Sequence, residues 1–190
     1  MAAALVDEHS MTVSMDEKTR LALFEQTIVP HLNAAYNLAA WLTRNKDDAE
    51  DVVQEAYLRA FRFFGGFHGG DGKAWLLAIV RNTCQTWLRR EKGTRSVVMF
   101  DEQTHSPEFA KTNPEVTLLK KVDVVSLREC LEGLPVDYRE VVILRELEEM
   151  SYQEIADVVK IPIGTVMSRL SRARQRLAEC VAAKVNGDLV

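Results

Sequence analysis

The segment Ser151–Leu177 (SYQEIADVVKIPIGTVMSRLSRARQRL) constrains the fold more than any other, because it suits two short helices joined by a tight turn and little else. Ser151 and Glu154 stand at the S-x-x-E spacing of a capping box. That spacing starts a first helix at Ser151, with Ile155, Ala156 and Val159 on its apolar face. Ala156 is small where the helices of a helix-turn-helix cross closely, and Ile161 and Val166 are placed to plug the angle between them. Pro162 falls in the first turn of the second helix, where a missing N–H costs nothing. Val166, Leu170, Ala173 and Leu177 then form one apolar stripe, leaving Thr165, Ser168, Arg169, Arg172, Arg174 and Arg176 on the other faces. A recognition helix addresses a major groove in this way, with a few side chains reaching base edges and the rest holding phosphates. Capping box, small residue, turn proline and arginine face agree in one register, which favours DNA over a merely solvated basic helix.

The other bounds come from the whole chain of 190 residues, 47% hydrophobic and 27% charged, which suits two small domains better than one large one. No window has the apolar length of a membrane span, and the N-terminus lacks a basic region followed by an apolar core. A cytoplasmic protein with no membrane insertion is expected. Cys84, Cys130 and Cys180 are odd in number and widely spaced, so neither a disulfide framework nor a zinc ribbon is indicated, and they are expected as buried small hydrophobes. No nucleophile, base and phosphate loop occur together, so no catalytic residue, metal or cofactor is expected. The net charge of −4 is unusual for a protein that grips DNA alone. Acids crowd Asp137 to Asp157, whereas Arg169, Arg172, Arg174 and Arg176 face the single Glu179 further on. A basic helix on an acidic body predicts weak DNA binding alone and stronger binding inside a larger complex.

The expected architecture is all-α, with two small helical domains joined by a flexible linker and the helix-turn-helix in the second. Residues 1–20 are expected as a disordered extension. Residues 21–92 form the first domain. In it, Leu21, Phe24, Ile28, Leu32, Ala35, Ala39 and Leu42 predict one long helix ending near Arg44. Asn45 offers an N-cap to a second helix from about Asp47 to Phe64. Gly65, Gly66, Gly69, Gly70 and Gly72 make a flexible loop, and a third helix runs from about Lys73 to Arg90. Residues 93–112 read as the linker. Asn113-Pro114-Glu115 opens the second domain, residues 113–182, and residues 183–190 are a tail.

Two motifs in this order resemble the extracytoplasmic-function group of the sigma-70 family of bacterial RNA polymerase sigma factors, over nearly the whole chain from Phe24 to Leu177. One is Asp48–Phe61 (DAEDVVQEAYLRAF), which is similar to the family's polymerase-binding helix. The other is Ile161–Leu177, similar to its minus-35 recognition helix. The resemblance implies an alternative-type sigma factor that binds core polymerase, recognises minus-35 and minus-10 promoter DNA and helps to open it, and is commonly held by an anti-sigma factor. By position it assigns polymerase binding to Asp51, Gln54 and Glu55. It assigns minus-35 contacts to Thr165, Ser168, Arg169, Arg172, Arg174 and Arg176. Minus-10 contacts fall to Phe67, His68, Lys73, Trp75, Arg81, Asn82, Arg89 and Arg90, although tryptophan at helical spacing favours the core for Trp75 and more so for Trp87. Two positions depart from the family pattern: Lys160 stands where relatives often have glycine, and Met167 where they often have a basic residue.

A stand-alone helix-turn-helix regulator with an N-terminal helical sensor domain accounts for the same second half, but leaves the acidic second helix, the glycine loop and Asn82 without a task. A metal or redox sensor built on His68, Cys84, His105, Cys130 and Cys180 matches no ligand spacing.

Overall fold

A computed structural model of the chain describes the backbone of residues 8–95 and 117–187, with side chains over residues 17–91 and 125–184. All regular structure among these residues is helical. In the first half, α1 (Glu8–Thr27), α2 (Leu32–Thr43), α3 (Lys46–Phe63) and α4 (Gly72–Arg95) pack around Ile28, Leu38, Leu42, Val52, Leu76, Leu77 and Val80. In the second half, α5 (Thr117–Gly133), α6 (Val136–Val142), α7 (Tyr152–Val159) and α8 (Ile163–Gly187) enclose Ile143, Leu144, Ile155, Val166 and Leu170.

The single helix expected from Leu21 to Arg44 is two helices. Pro30 lacks an N–H to continue the ladder, and the chain makes a 3₁₀ turn at Val29–His31 before α2 begins. Apolar spacing runs through this break because both helices bury the same side. At the other end, α1 begins at Glu8, so residues 8–20, expected as disordered, carry helical backbone; extending a nucleated helix fixes one residue per bond. Most of the expected linker and the Asn113-Pro114-Glu115 start lie outside the described residues.

Local signals set the other helix ends. Arg44 takes the left-handed conformation with φ 61° and closes α2. The Asn45 side chain then accepts from the N–H groups of Asp47 (2.8 Å) and Asp48 (3.2 Å), opening α3. Phe24 meets Tyr57, Phe61 and Phe64 edge-on at centroid distances of 6.2, 5.3 and 5.2 Å, which fastens α1 across α3. Gly72 is required by contact: a Cβ there would stand 2.6 Å from the Thr27 carbonyl oxygen, where α4 starts against the end of α1. Ser151 and Glu154 form the capping box, with Glu154 N–H to Ser151 Oγ at 3.2 Å and Ser151 N–H to Glu154 Oε2 at 2.6 Å.

One expectation is overturned in the second half. Cys130 on α5 and Cys180 on α8 form a disulfide across a separation of 50 residues, while Cys84 is free and buried. Cysteine spacing reports frameworks and ligands that lie near one another in sequence. It says nothing of two helices that return alongside each other, which is what brings this pair within reach.

Where the halves meet, α6 runs into a single π turn, Ile143–Leu147, closed by Glu148 N–H to Ile143 O at 3.1 Å and Met150 N–H to Leu144 O at 3.0 Å. Helix α7 packs on α4, and α6 on α2. Glu140, 1% exposed, accepts from Arg81 of α4 at 3.1 Å and from Arg169 of α8 at 3.3 Å. Glu148, 6% exposed, pairs with Lys73 at 2.9 Å, and its carbonyl oxygen accepts from the same ammonium at 2.8 Å. The Arg44 guanidinium donates to the Glu132 carbonyl. Arg139 is buried beside Arg44, and burial first, then that neighbouring cation, holds its guanidinium down at about 10.

These features give three expected outcomes. Reducing the Cys130–Cys180 bridge opens a loop of 50 residues and costs roughly 4 kcal/mol by chain entropy. A thermal melt with and without reductant should therefore show a drop that a Cys180→Ser variant has already suffered; identical melts of the two proteins without reductant would argue against the bridge. Ser151→Ala removes a cap worth about 1 kcal/mol. The hydrogen bonds from Ser151 hold the Glu154 carboxyl below its ordinary range, so this contribution is present above the ordinary carboxylate pKa and is lost as pH falls through the folded value. The gap between wild type and variant should narrow on acidification in pH-dependent melts. Glu140→Ala leaves Arg81 and Arg169 together without their shared carboxylate. It should cost on the order of 3 kcal/mol in urea unfolding, whereas Glu146→Ala, at an exposed pair, should cost under about 1 kcal/mol.

Candidate nucleic-acid interface

Helix α8 is held in a fixed register by its buried stripe of Val166, Leu170 and Ala173 against Ile155, Ala156 and Val159. The turn before it is tight. Lys160 takes the left-handed conformation at φ 59°, a strain on the order of 1 kcal/mol for a residue with a Cβ. Ile161 N–H reaches back to Ala156 O at 3.2 Å, and Pro162 O accepts from Thr165 (2.8 Å) and Val166 (3.2 Å).

Six residues of α8 were expected to face DNA, and the structure divides them. Ser168 and Arg172 are exposed, Ser168 donating to Thr165 O at 3.0 Å, with Thr165 half-buried beside them. Arg169 is turned onto Asp137 (3.2 Å) and Glu140. Arg174 pairs with Glu146 at 2.7 Å, and hydrogen bonds to Glu146 and Tyr152 raise its guanidinium still further above its ordinary range. The Arg176 guanidinium lies 5.1 Å from the Tyr138 ring centroid. Helix α6 and its π turn therefore hold three of the arginines from behind.

The eight residues expected at the minus-10 element are spread over the loop and α4. Phe67 stacks on Phe64 at 5.6 Å and leans on Trp75 at 5.2 Å, so both Phe67 and Trp75 belong partly to the core. Gly69 and Gly70 follow with φ of 89° and 100°, a backbone that L side chains rarely adopt, and carry the exposed His68 away from this cluster. Asp71 starts α4, its Oδ1 accepting from Lys73 N–H at 2.8 Å. Lys73 and Arg81 are engaged by Glu148 and Glu140, while Asn82, Arg89 and Arg90 are exposed along α4.

On α3, Asp51 and Gln54 are exposed, and Glu55 is half-buried and paired with Arg59. Gln54 also lines a groove of about 360 Å³ between α2 and α3, floored by Leu32, Tyr36, Val53 and Tyr57. Desolvation first raises the Tyr57 hydroxyl above its ordinary pKa, and that hydroxyl donates to Ile28 O at 3.2 Å.

Sequence reasoning missed Asp137, Glu140, Glu146 and Glu148. Their excess is visible in the sequence, but their partners are not: they receive the chain's own cations. Burial pushes the Glu140 carboxyl up, against the lowering effect of Arg81 and Arg169. Among the described residues no group of histidines, cysteines and acids is placed to hold a metal ion, and no helix is long and apolar enough to cross a membrane. His105 lies outside them.

Residues 27–94 match the family description Sigma-70 region 2, and residues 125–177 match Sigma-70, region 4. The chain is 30% identical to the ECF RNA polymerase sigma factor SigE of Mycolicibacterium smegmatis over 179 residues, covering 93% of this chain and 69% of that protein. It is 36% identical to the ECF RNA polymerase sigma-E factor of Escherichia coli K12 over 137 residues, covering 68% and 72%. Its fold is similar to that of the sigma factor RpoE from Bartonella quintana, solved in complex with the anti-sigma factor NepR. The TM-score is 0.67 at 30% identity, over 84% of this chain and 96% of that one. With both sigma regions in order and relatives matched along most of their length, the chain belongs to the extracytoplasmic-function group of the sigma-70 family of RNA polymerase sigma factors.

Proposed function

We propose that this chain works in the cytoplasm as a promoter-specificity subunit without catalytic chemistry of its own. Residues 21–92 bind core RNA polymerase and the minus-10 element, residues 113–182 bind the minus-35 element, and residues 93–112 join them. The observation that carries this reading is the separation of two unlike surfaces. One is the polar and cationic outward side of α8. The other is the apolar groove beside Gln54 on α3. A stand-alone regulator uses the first and has no need of the second.

Each surface has a physical task. The groove offers aromatic and aliphatic area beside Asp51, Gln54 and Glu55, a combination suited to a partner helix carrying basic residues. Ser168 and Arg172 are directed at the major groove, with Thr165 at the helix start. Asn82 and His68 are placed to receive an unpaired base, and Arg89 and Arg90 to hold its backbone. Phe67 and Trp75 contribute by fixing the start of the glycine loop against the core. Lys73, Arg81 and Arg169 can serve phosphates only after exchanging Glu148 and Glu140 for DNA, so promoter engagement requires the α4–α6–α8 contact to loosen. An anti-sigma partner that braces this contact would keep the cations occupied.

The purified chain should direct sigma-free bacterial core polymerase to specific starts on a library of genomic fragments. A Gln54→Ala, Glu55→Ala variant should lose at least about tenfold in core binding, the equivalent of 1.4 kcal/mol, and lose the transcripts with it. Specific binding to duplex DNA without any core binding would identify a stand-alone regulator instead.

A further inference from the structure

We propose that Met167, with Ile163 beside it, is a specificity-determining residue that reads thymine methyl groups in the minus-35 duplex; this rests on the reading of α8 as the minus-35 helix. Among the described side chains of α8, Val166, Leu170 and Ala173 are buried and supply its packing. Ile163 and Met167 are not among the buried core residues. They are 44% and 52% exposed, four residues apart, and continue along the same line of the helix to Ser171. That line borders the outward side that carries Ser168 and Arg172. A helix surface kept apolar at its entering end, with arginines around and behind it, matches a partner that is anionic at its edges and has apolar points between them.

Duplex DNA offers such a partner. Phosphates line the rims of the major groove, and the C5-methyl of thymine is the apolar group on its base edges. Met167 has no strong donor or acceptor, so it cannot pair with the N7 and O6 of guanine or the N6 of adenine. Its long, unbranched and polarizable side chain can cover a methyl without exacting geometry. Opposite a cytosine, the same side chain would cover a polar amino edge and leave it unpaired. The position therefore discriminates for thymine by burial and against cytosine by desolvation.

The methyl can be removed without touching the protein. Holoenzyme assembled from core polymerase and the full chain is bound to a promoter recovered from the fragment library, and each minus-35 thymine, on either strand, is replaced singly by deoxyuridine. With the wild-type chain, at least one replacement should weaken binding by about three- to fivefold, as expected for one lost buried methyl group. With Met167→Ala that sensitivity should vanish, and with Met167→Leu it should largely remain. Replacements at minus-10 thymines should respond equally in all three proteins. Insensitivity of the wild type to every minus-35 replacement, or equal sensitivity in Met167→Ala, would overturn the proposal; the exposed apolar pair would then serve a protein contact. Absence of any core-dependent transcript would remove the sigma reading, and this proposal with it.

Discussion

A buried carboxylate shared between two arginines sets the arrangement of everything around it. Glu140 is almost wholly removed from water, at a cost that raises its own pKa, and is kept there by Arg81 from one side and Arg169 from the other. An isolated buried charge is destabilising by several kcal/mol, so neither arginine can leave without exposing or protonating the acid. The interaction links three helices that are far apart in sequence. α4 belongs to the half that carries the apolar groove, α8 is the second helix of the helix-turn-helix, and α6 pairs with both through Glu140. Glu148, reached through the π turn, repeats the arrangement with Lys73 one layer away.

The two pairings explain how an acidic chain carries a DNA-binding helix. The acids are not a uniform repulsive coat. They are placed behind α8 and over the start and middle of α4, where they neutralise cations that would otherwise repel one another across the junction. Arg172, Ser168, Asn82 and Arg89 are left exposed. None of the junction's paired charges lines the apolar groove between α2 and α3.

Local chemistry was legible in the sequence, and long-range chemistry was not. Ser151 with Glu154 and Asn45 before Asp47 announced their helices because a cap is a contract between residues within one turn. The stripe of Val166, Leu170 and Ala173 gave the register of α8 for the same reason. Pro30 was hidden by apolar spacing that continued on either side of it. The Cys130–Cys180 bridge was hidden because its partners meet only after two helices have packed. Glu140 resembles any acid in an acid-rich stretch until α4 and α8 close on it. The candidate site residues were nameable by position, yet their states were not: Arg169 and Arg172 look alike in sequence, and only one is turned inward.

The shared carboxylates also determine how ions enter the equilibrium. A free arginine that binds a phosphate displaces a condensed counterion, and each such contact steepens the logarithmic dependence of affinity on salt by about 0.9. Arg81 and Arg169 begin from Glu140 and Lys73 from Glu148, so the acids they leave must gather small cations of their own as the DNA sheds them. The two exchanges offset. Any promoter binding that drew on Lys73, Arg81 and Arg169 would then be less sensitive to ionic strength than its number of phosphate contacts implies.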